Sequence, residues 1–200
     1  RIIFCPPTQR DREQTLEKVV ARTGAVFIHP YDNPGIIAGQ GTCAMELMEQ
    51  VPDLDTVIAP VGGGGLVSGT ALACRFIRPV IRVIGVEPKG ADDAFRSLRD
   101  GRIYPSENPR TIADGLRTSL GTLTFPIIRR YVERIVTVEE ESIVEAMRAV
   151  WERMKILIEP SAAVPFAAVL EGKLERRSRR IGIILSGGNV DLDGLPWLDA

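Results

Sequence analysis

The stretch from Asp55 to Ile77 constrains this chain most. A β-branched apolar run, Thr56 to Val61, leads without a break into Gly62, Gly63, Gly64 and Gly65, and a helical pattern follows from Leu66 to Ile77. The apolar run fits a buried parallel strand. Glycine carries no Cβ, so the turn is free to take φ > 0 and to let a ligand touch the backbone. N–H groups at such a turn converge with the positive end of the next helix, where a phosphate is favoured. The alternative is a tight turn with no ligand. Four consecutive glycines weaken a strand–turn–helix unit with no packing benefit evident in the sequence, which points to a phosphate-type anion.

The kind of phosphate is narrowed by what the turn lacks. A Walker loop needs a Lys beside it, and none lies near. The dinucleotide fingerprint is out of register, because Val67 or Ser68 stands where its third glycine belongs. Glu87, closing the next apolar run from Ile81 to Val86, sits at the distance of a ribose-binding acid. That spacing keeps a nicotinamide-dependent oxidoreductase in view.

Composition removes other classes. A net charge of −1 gives no electrostatic pull toward nucleic acid or a membrane surface. No apolar run approaches the ~18 residues of a membrane span, while 44% apolar residues in 200 suffice for a core. Cys5, Cys43 and Cys74 lack metal-ligand spacing and read as reduced core thiols of a cytosolic protein. The single histidine, His29, cannot anchor a His-based metal site. Arg1 runs straight into Ile2–Cys5 with no Met, which suggests a sequence beginning inside a longer protein.

Taken in order, Ile2 to Cys5 reads as a strand, Thr8 as the cap of a helix reaching Thr23, and Ala25 to Ile28 as a second strand. The prolines and Gly35 of the segment from His29 to Gly35 place a domain boundary after Asp32. Ala38 to Gln50 is a helix. Pro88 to Pro109, with Glu87, Asp92, Asp93 and Asp100, is either a solvated loop or a cation site. Arg134 to Val138 reads as a strand, and Thr137 with Glu140 has capping-box spacing. The helix behind them puts Ile143, Met147, Val150, Trp151 and Met154 on one core-facing side. Ser161 falls near the start of a helix to Leu170, and Glu171 to Arg180 is a charged surface loop. Ile181 to Leu185 is a buried strand ending in Ser186-Gly187-Gly188-Asn189. Alternating strands and helices imply an α/β fold with a mostly parallel sheet flanked by helices. Ligands of such sheets bind at the carboxyl ends of the strands, where the glycine turn, Glu87 and Ser186 all fall.

Several stretches together resemble the fold-type II pyridoxal-phosphate enzymes, in particular the serine racemase and serine/threonine dehydratase group. They are His29-Pro30-Tyr31-Asp32, Ile37 to Thr42, Val61 to Leu66, Glu87-Pro88 with Ala91-Asp92-Asp93, Thr111 to Gly115, Val150 to Pro160 and Leu185 to Asp191. The resemblance covers nearly the whole chain. It implies a tryptophan-synthase-β-like large domain over residues 33–200, preceded in 1–32 by the end of the small domain, with the N-terminal part of the enzyme absent. Gly62, Gly63, Gly64, Gly65 and Leu66 would hold the 5′-phosphate of pyridoxal 5′-phosphate. Ser186 would offer its hydroxyl to the pyridine nitrogen, Tyr31 and Glu159 would lie at the cofactor, and Gly115 would line the substrate cavity. Glu87, the Ala91 carbonyl and Asp93 match a site for Mg²⁺ or Ca²⁺, a set of oxygen ligands suited to either ion. Lys155 and Asn189 match nucleotide-contacting positions, although surface and capping roles are the plainer reading of each.

One part of the family pattern is missing. The group carries its cofactor on a Lys in a Ser-Phe-Lys-type segment, whereas Lys18, Lys89, Lys155 and Lys173 all lack that context. The expectation is a cytoplasmic dehydratase turning L-serine or L-threonine into a 2-oxo acid and ammonia, homodimeric when complete and inactive as this chain alone. Tyr31 tilts the choice that way, because animal racemases carry Asn there. Serine racemase and a non-catalytic phosphate-ligand-binding fragment are the alternatives.

Overall fold

The computed structural model describes residues 2–6, 8–175 and 178–198. The chain divides into two compact units, Arg1–Pro30 and Tyr31–Ala200.

Among the described residues of the first unit one helix forms, α1 (Gln9–Thr23). Thr8 caps it by accepting from Asp11 N, and Gly24 closes it in the left-handed conformation. The two expected flanking strands do not form: residues 2–6 and 24–29 belong to no ladder, and Phe4 and Val26 are 91% and 89% exposed. A strand exists by pairing, and neither segment meets a neighbouring strand among the described residues.

The second unit is built on four parallel strands in the order β3-β2-β1-β4: β1 (Thr56–Pro60), β2 (Arg82–Pro88), β3 (Arg134–Val138) and β4 (Ile181–Ile183). Thr56 stands opposite both Arg82 and Ile181, and Pro88 opposite Val138, so all carboxyl ends point one way. Every residue of β1 is buried, as a central parallel strand covered on both faces requires. One core cluster joins Ala44 and Met48 of α2 (Pro34–Gln50), Val67 and Ala71 of α3 (Gly65–Ile77) and Ile128 of α5 (Thr124–Tyr131) to Val57 and Ala59. The other joins α6 (Glu140–Met154) and α7 (Pro160–Leu170) to Val86 and Val138. Helices α2 and α3 cross backbone to backbone, where a Cβ on Gly41 would lie 2.9 Å from the Gly69 carbonyl oxygen.

Several local expectations are corrected. α2 starts at Pro34 rather than Ala38, because Asn33 Oδ1 accepts from Gly35 N at 2.8 Å and proline is tolerated in a first turn. The polar stretch after Glu87 is not all loop: it holds a 3-10 turn (Lys89–Ala91) and α4 (Asp93–Asp100). Thr137 and Glu140 form no capping box, since Thr137 lies inside β3 and Glu140 Oε2 instead accepts from Ile112 N at 2.9 Å. Met154 is exposed, although Ile143, Met147 and Val150 are buried as expected. Of the cysteines only Cys74 is buried, with Cys43 exposed and Cys5 half-buried. The charged loop after α7 is anchored, because Asp55 Oδ2 accepts from the N–H groups of Arg179 and Arg180 at 2.9 Å. Residues 176 and 177 of that loop lie outside the described residues.

Candidate functional site

The glycine turn leaves β1 and enters α3 through Gly64, whose φ of +90° only glycine takes without strain. The first intrahelical bond runs from Ser68 N to Gly64 O at 3.0 Å. The N–H groups of Gly65, Leu66 and Val67 therefore have no acceptor within the helix. Gly62 to Gly65 are buried and Leu66 is half-buried.

The side on which each glycine would carry a Cβ is closely packed, contrary to the expectation that these glycines bring no packing benefit. A Cβ on Gly63 would clash with the Tyr31 ring at its Cγ, and one on Gly65 would lie 2.9 Å from Tyr31 Cβ. On Gly62 it would sit 3.0 Å from both Gly115 O and Thr118 Oγ1, and on Gly64 2.9 Å from Thr124 Oγ1. Each glycine is thus required by its neighbours as well as available to an anion.

Two residues that sequence reasoning did not single out hold this arrangement. Thr124, fully buried, donates its hydroxyl to Gly63 O at 2.8 Å and accepts from Gly121 N at 2.9 Å. Asp32 caps the start of α5 from across the fold: Leu123 N and Thr124 N donate to Oδ1 at 2.8 and 3.2 Å, and Thr122 N and Oγ1 donate to Oδ2, each at 3.0 Å. Partial burial pushes the Asp32 carboxyl up, but these donors outweigh it and hold it below its ordinary range. The neighbours Tyr31 and Asp32 therefore brace the turn directly and through α5. Asp32 is 90 residues from Thr122, so no local spacing signals this cap.

From the turn the mouth continues along the carboxyl edge. Gly115 N donates to Ser161 Oγ at 3.1 Å. A Cβ on Gly115 would lie 4.0 Å from Glu159 Oε1, and one on Gly187 2.9 Å from the same oxygen. Glu159 Oε2 accepts from Asn189 N at 2.9 Å, and its own N–H donates to Gly187 O at 3.1 Å. Ser186 stands next to Gly187, exposed, on the loop that continues β4. Tyr31, Gly62 to Gly65, Gly115 and Glu159 thus form one unbroken series of contacts that ends beside Ser186. The Asn189 backbone is occupied by Glu159, and Lys155 closes α6 in the left-handed conformation, with φ of +59°.

A separate set lies at the carboxyl end of β2, where Glu87 is the strand's next-to-last residue and Ala91 and Asp93 follow it. Glu87 is fully buried and caps α4, with Ala94 N donating to Oε1 at 3.1 Å and Phe95 N to Oε2 at 2.7 Å. Both carboxylate oxygens of Asp93 are buried without a hydrogen bond of ordinary geometry, and the Ser106 hydroxyl, likewise unpaired, is the polar group nearby. Burial, then the Asp93 charge, holds the Glu87 carboxyl well above its ordinary range. Burial lifts Asp93 to about 7, opposed by the nearby Ser106 hydroxyl. Among the described residues no group of three or more His, Cys, Asp or Glu side chains is set to hold a metal.

A family described as pyridoxal-phosphate dependent enzyme matches residues 1–187. The chain belongs to that family. It is 49% identical over 196 residues to β-hydroxyaspartate dehydratase of Paracoccus denitrificans (strain Pd 1222), covering 98% of this chain and 62% of that protein. To serine racemase of Arabidopsis thaliana it is 48% identical over 200 residues, covering 98% of this chain and 60% of that one. The structure of maize serine racemase superposes with a TM-score of 0.92 at 46% identity, over 96% of this chain and 60% of that one. A threonine deaminase structure superposes with a TM-score of 0.89 at 45% identity, over 96% of this chain and 64% of that one. The family member described here is thus of fold type II, within the serine racemase and dehydratase group, and spans about 60% of the curated relatives it matches. No helix among its described residues is long and apolar enough to cross a membrane.

Proposed function

We propose that residues 33–200 are the large, cofactor-holding domain of a pyridoxal-phosphate-dependent dehydratase of small β-hydroxy amino acids, and that residues 1–32 end its small domain. The observation that carries this reading is the glycine turn. Its buried glycines leave room for no side chain, and the free N–H groups of Gly65, Leu66 and Val67 sit at the positive end of α3. A 5′-phosphate fits that cradle. When bound, the cofactor supplies the electron sink for the electrons released as the substrate Cα–H bond breaks.

The chain's own residues would orient and enclose it. Gly62 to Leu66 would hold the phosphate by backbone donors, and Tyr31, its ring over Gly63 and its Cβ against Gly65, would keep water from one side of the cradle. Ser186 offers a hydroxyl to the pyridine nitrogen. A hydroxyl is far too weak an acid to protonate that ring, and such a ring suits elimination and racemisation rather than transamination. Glu159 fixes the Ser186 loop through Asn189 N, and Gly115, held by Ser161 Oγ, would line the substrate cavity.

Glu87, the Ala91 carbonyl and Asp93 would hold Mg²⁺ or Ca²⁺. The orphaned oxygens of Asp93, buried beside a second carboxylate, fit a bound cation better than they fit an empty interior. The full-length protein is read as a homodimer, with Lys155 and Asn189 available to a nucleotide effector.

The 49% identity to a β-hydroxyaspartate dehydratase and the aromatic residue at position 31 favour dehydration, and the 48% identity to a serine racemase supports the rival outcome. Product analysis of the full-length protein separates them. With cofactor and L-serine, L-threonine or β-hydroxyaspartate, the expected products are a 2-oxo acid and ammonia. D-Serine from L-serine as the main product would overturn the dehydratase reading.

A further inference from the structure

The opposite pole of the sheet, at the amino ends of the strands, carries a cavity of about 510 Å³. Arg75 and Phe76 reach it from the last turn of α3, Arg130 and Tyr131 from the last turn of α5, and Arg82 and Glu133 from the entries of β2 and β3. Arg75 lies ten residues beyond Gly65 on α3, about 15 Å along the helix axis. The cavity is therefore separate from the mouth that holds the glycine turn.

Its charges do not balance. Arg82 Nη2 donates to Thr56 Oγ1 at 2.7 Å and to Ser178 Oγ at 2.9 Å, and lies 3.7 Å from Asp55. Glu133, the acid lining the cavity, is shared between Arg82 and Arg134, at 3.6 Å from each. Those groups are committed to one another. Arg75 and Arg130 are not: neither makes a hydrogen bond or ion pair with a described residue. Arg130 instead lies over the Tyr131 ring, 5.3 Å from its centroid. Tyr131 meets Phe76 edge to face with centroids 6.1 Å apart, and Phe76 is 73% exposed. Arg82 Nη1 is buried and paired at longer range with two carboxylates, Glu133 at 3.6 Å and Glu175 at 3.9 Å.

Arginines in the last turn of a helix complement its dipole, which accounts for Arg75 and Arg130 one at a time. It does not account for the exposed Phe76 ring that lines the same cavity and packs on Tyr131. We propose that this cavity binds a small organic anion that carries a planar ring and a carboxylate or phosphate group. Two guanidiniums match such a head group in the plane of their donors. The Phe76 and Tyr131 rings offer the ring an edge and a face. The volume falls within the range of about 300–1,000 Å³ usual for small-molecule sites.

Calorimetric titration of the full-length protein, saturated with pyridoxal 5′-phosphate so that the glycine turn is filled, tests this independently of the catalytic reading. The probes are phenyl phosphate and benzoate, with inorganic phosphate and acetate as their anionic halves and benzyl alcohol as the aromatic one. At least one aromatic anion should bind about tenfold more tightly than either of its halves. Arg75→Ala and Arg130→Ala should each weaken it about tenfold, equivalent to about 1.4 kcal/mol. Arg99→Ala, an exposed arginine of α4 outside the cavity, should leave it unchanged. Arg75→Gln and Arg130→Gln keep the aliphatic stems in place and should show the same loss, which separates charge from packing. Failure of both aromatic anions to bind, or binding unaltered in the Arg75→Ala/Arg130→Ala double variant, would overturn the proposal.

Discussion

Replacing Thr124 by valine removes one hydroxyl and almost no volume, at the point where α5 grips the glycine turn. The hydroxyl is fully buried and makes two short bonds, one donated to Gly63 O and one accepted from Gly121 N, its proton also lying within reach of Gly121 O at 3.3 Å. Each neutral bond contributes about 1 kcal/mol net, so their joint loss costs about 2 kcal/mol. The remaining contact from Gly121 N to Gly63 O, at 3.3 Å, limits the further cost of stranding either backbone group. For a chain of this size about 2 kcal/mol lowers Tm by about 4–8 °C. Thr124→Ser keeps both bonds and loses one methyl group, about 0.8 kcal/mol, and should melt nearer to wild type. Calorimetry on this chain measures both. In the full-length protein a merely structural role would leave cofactor affinity alone, whereas the bracing role raises the Kd for pyridoxal 5′-phosphate in the valine variant and restores it in the serine variant. Equal melting of the serine and valine variants, or a valine variant within ~1 °C of wild type, would refute the reasoning.

Three further outcomes are expected. Gly64→Val combines φ of +90° with contacts to Ile128 Cδ1 at 2.8 Å and to Thr124, so it should abolish cofactor binding in the full-length protein, while Ser68→Ala, which loses only a long 3.4 Å bond to Thr124 O, should change it little. Asp32→Ala should cost about 1–2 kcal/mol as the loss of a helix cap. Because the native Asp32 carboxyl titrates below its unfolded value, the advantage of wild type over Asp32→Asn should be complete above the ordinary carboxylate range and fade as pH falls through the lowered native value, as acid melts of the two would show. Chelator should lower the Tm of the full-length protein and Mg²⁺ or Ca²⁺ should restore it, since a cation at a hundredfold excess over its dissociation constant stabilises by about 2.7 kcal/mol. Asp93→Ala should remove that response and Asp100→Ala, an exposed acid of the same region, should keep it; identical melts of wild type and Asp93→Ala with and without chelator would exclude the site.

What the sequence alone determined lies in short range and strong period. The β1–glycine–α3 unit, the cap of α1 by Thr8 and the buried stripe of Ile143, Met147 and Val150 each rest on residues within a few positions of one another, so spacing carries them. The order of the motifs placed the fold and the family. Tertiary structure decided what single polar side chains do at a distance. Glu87 caps α4 from the end of β2, which is why an acidic, weakly periodic stretch becomes helix there. Asp32 caps α5 across 90 residues, and the Tyr31 ring fills the space above Gly63. A cap reaching across the fold leaves no period in the chain, because its donor and acceptor meet only after the sheet has assembled. For the same reason residues 2–5 and 25–28 have the composition of strands and do not form them: strand propensity is local, and the hydrogen bonds that make a strand belong to its neighbour.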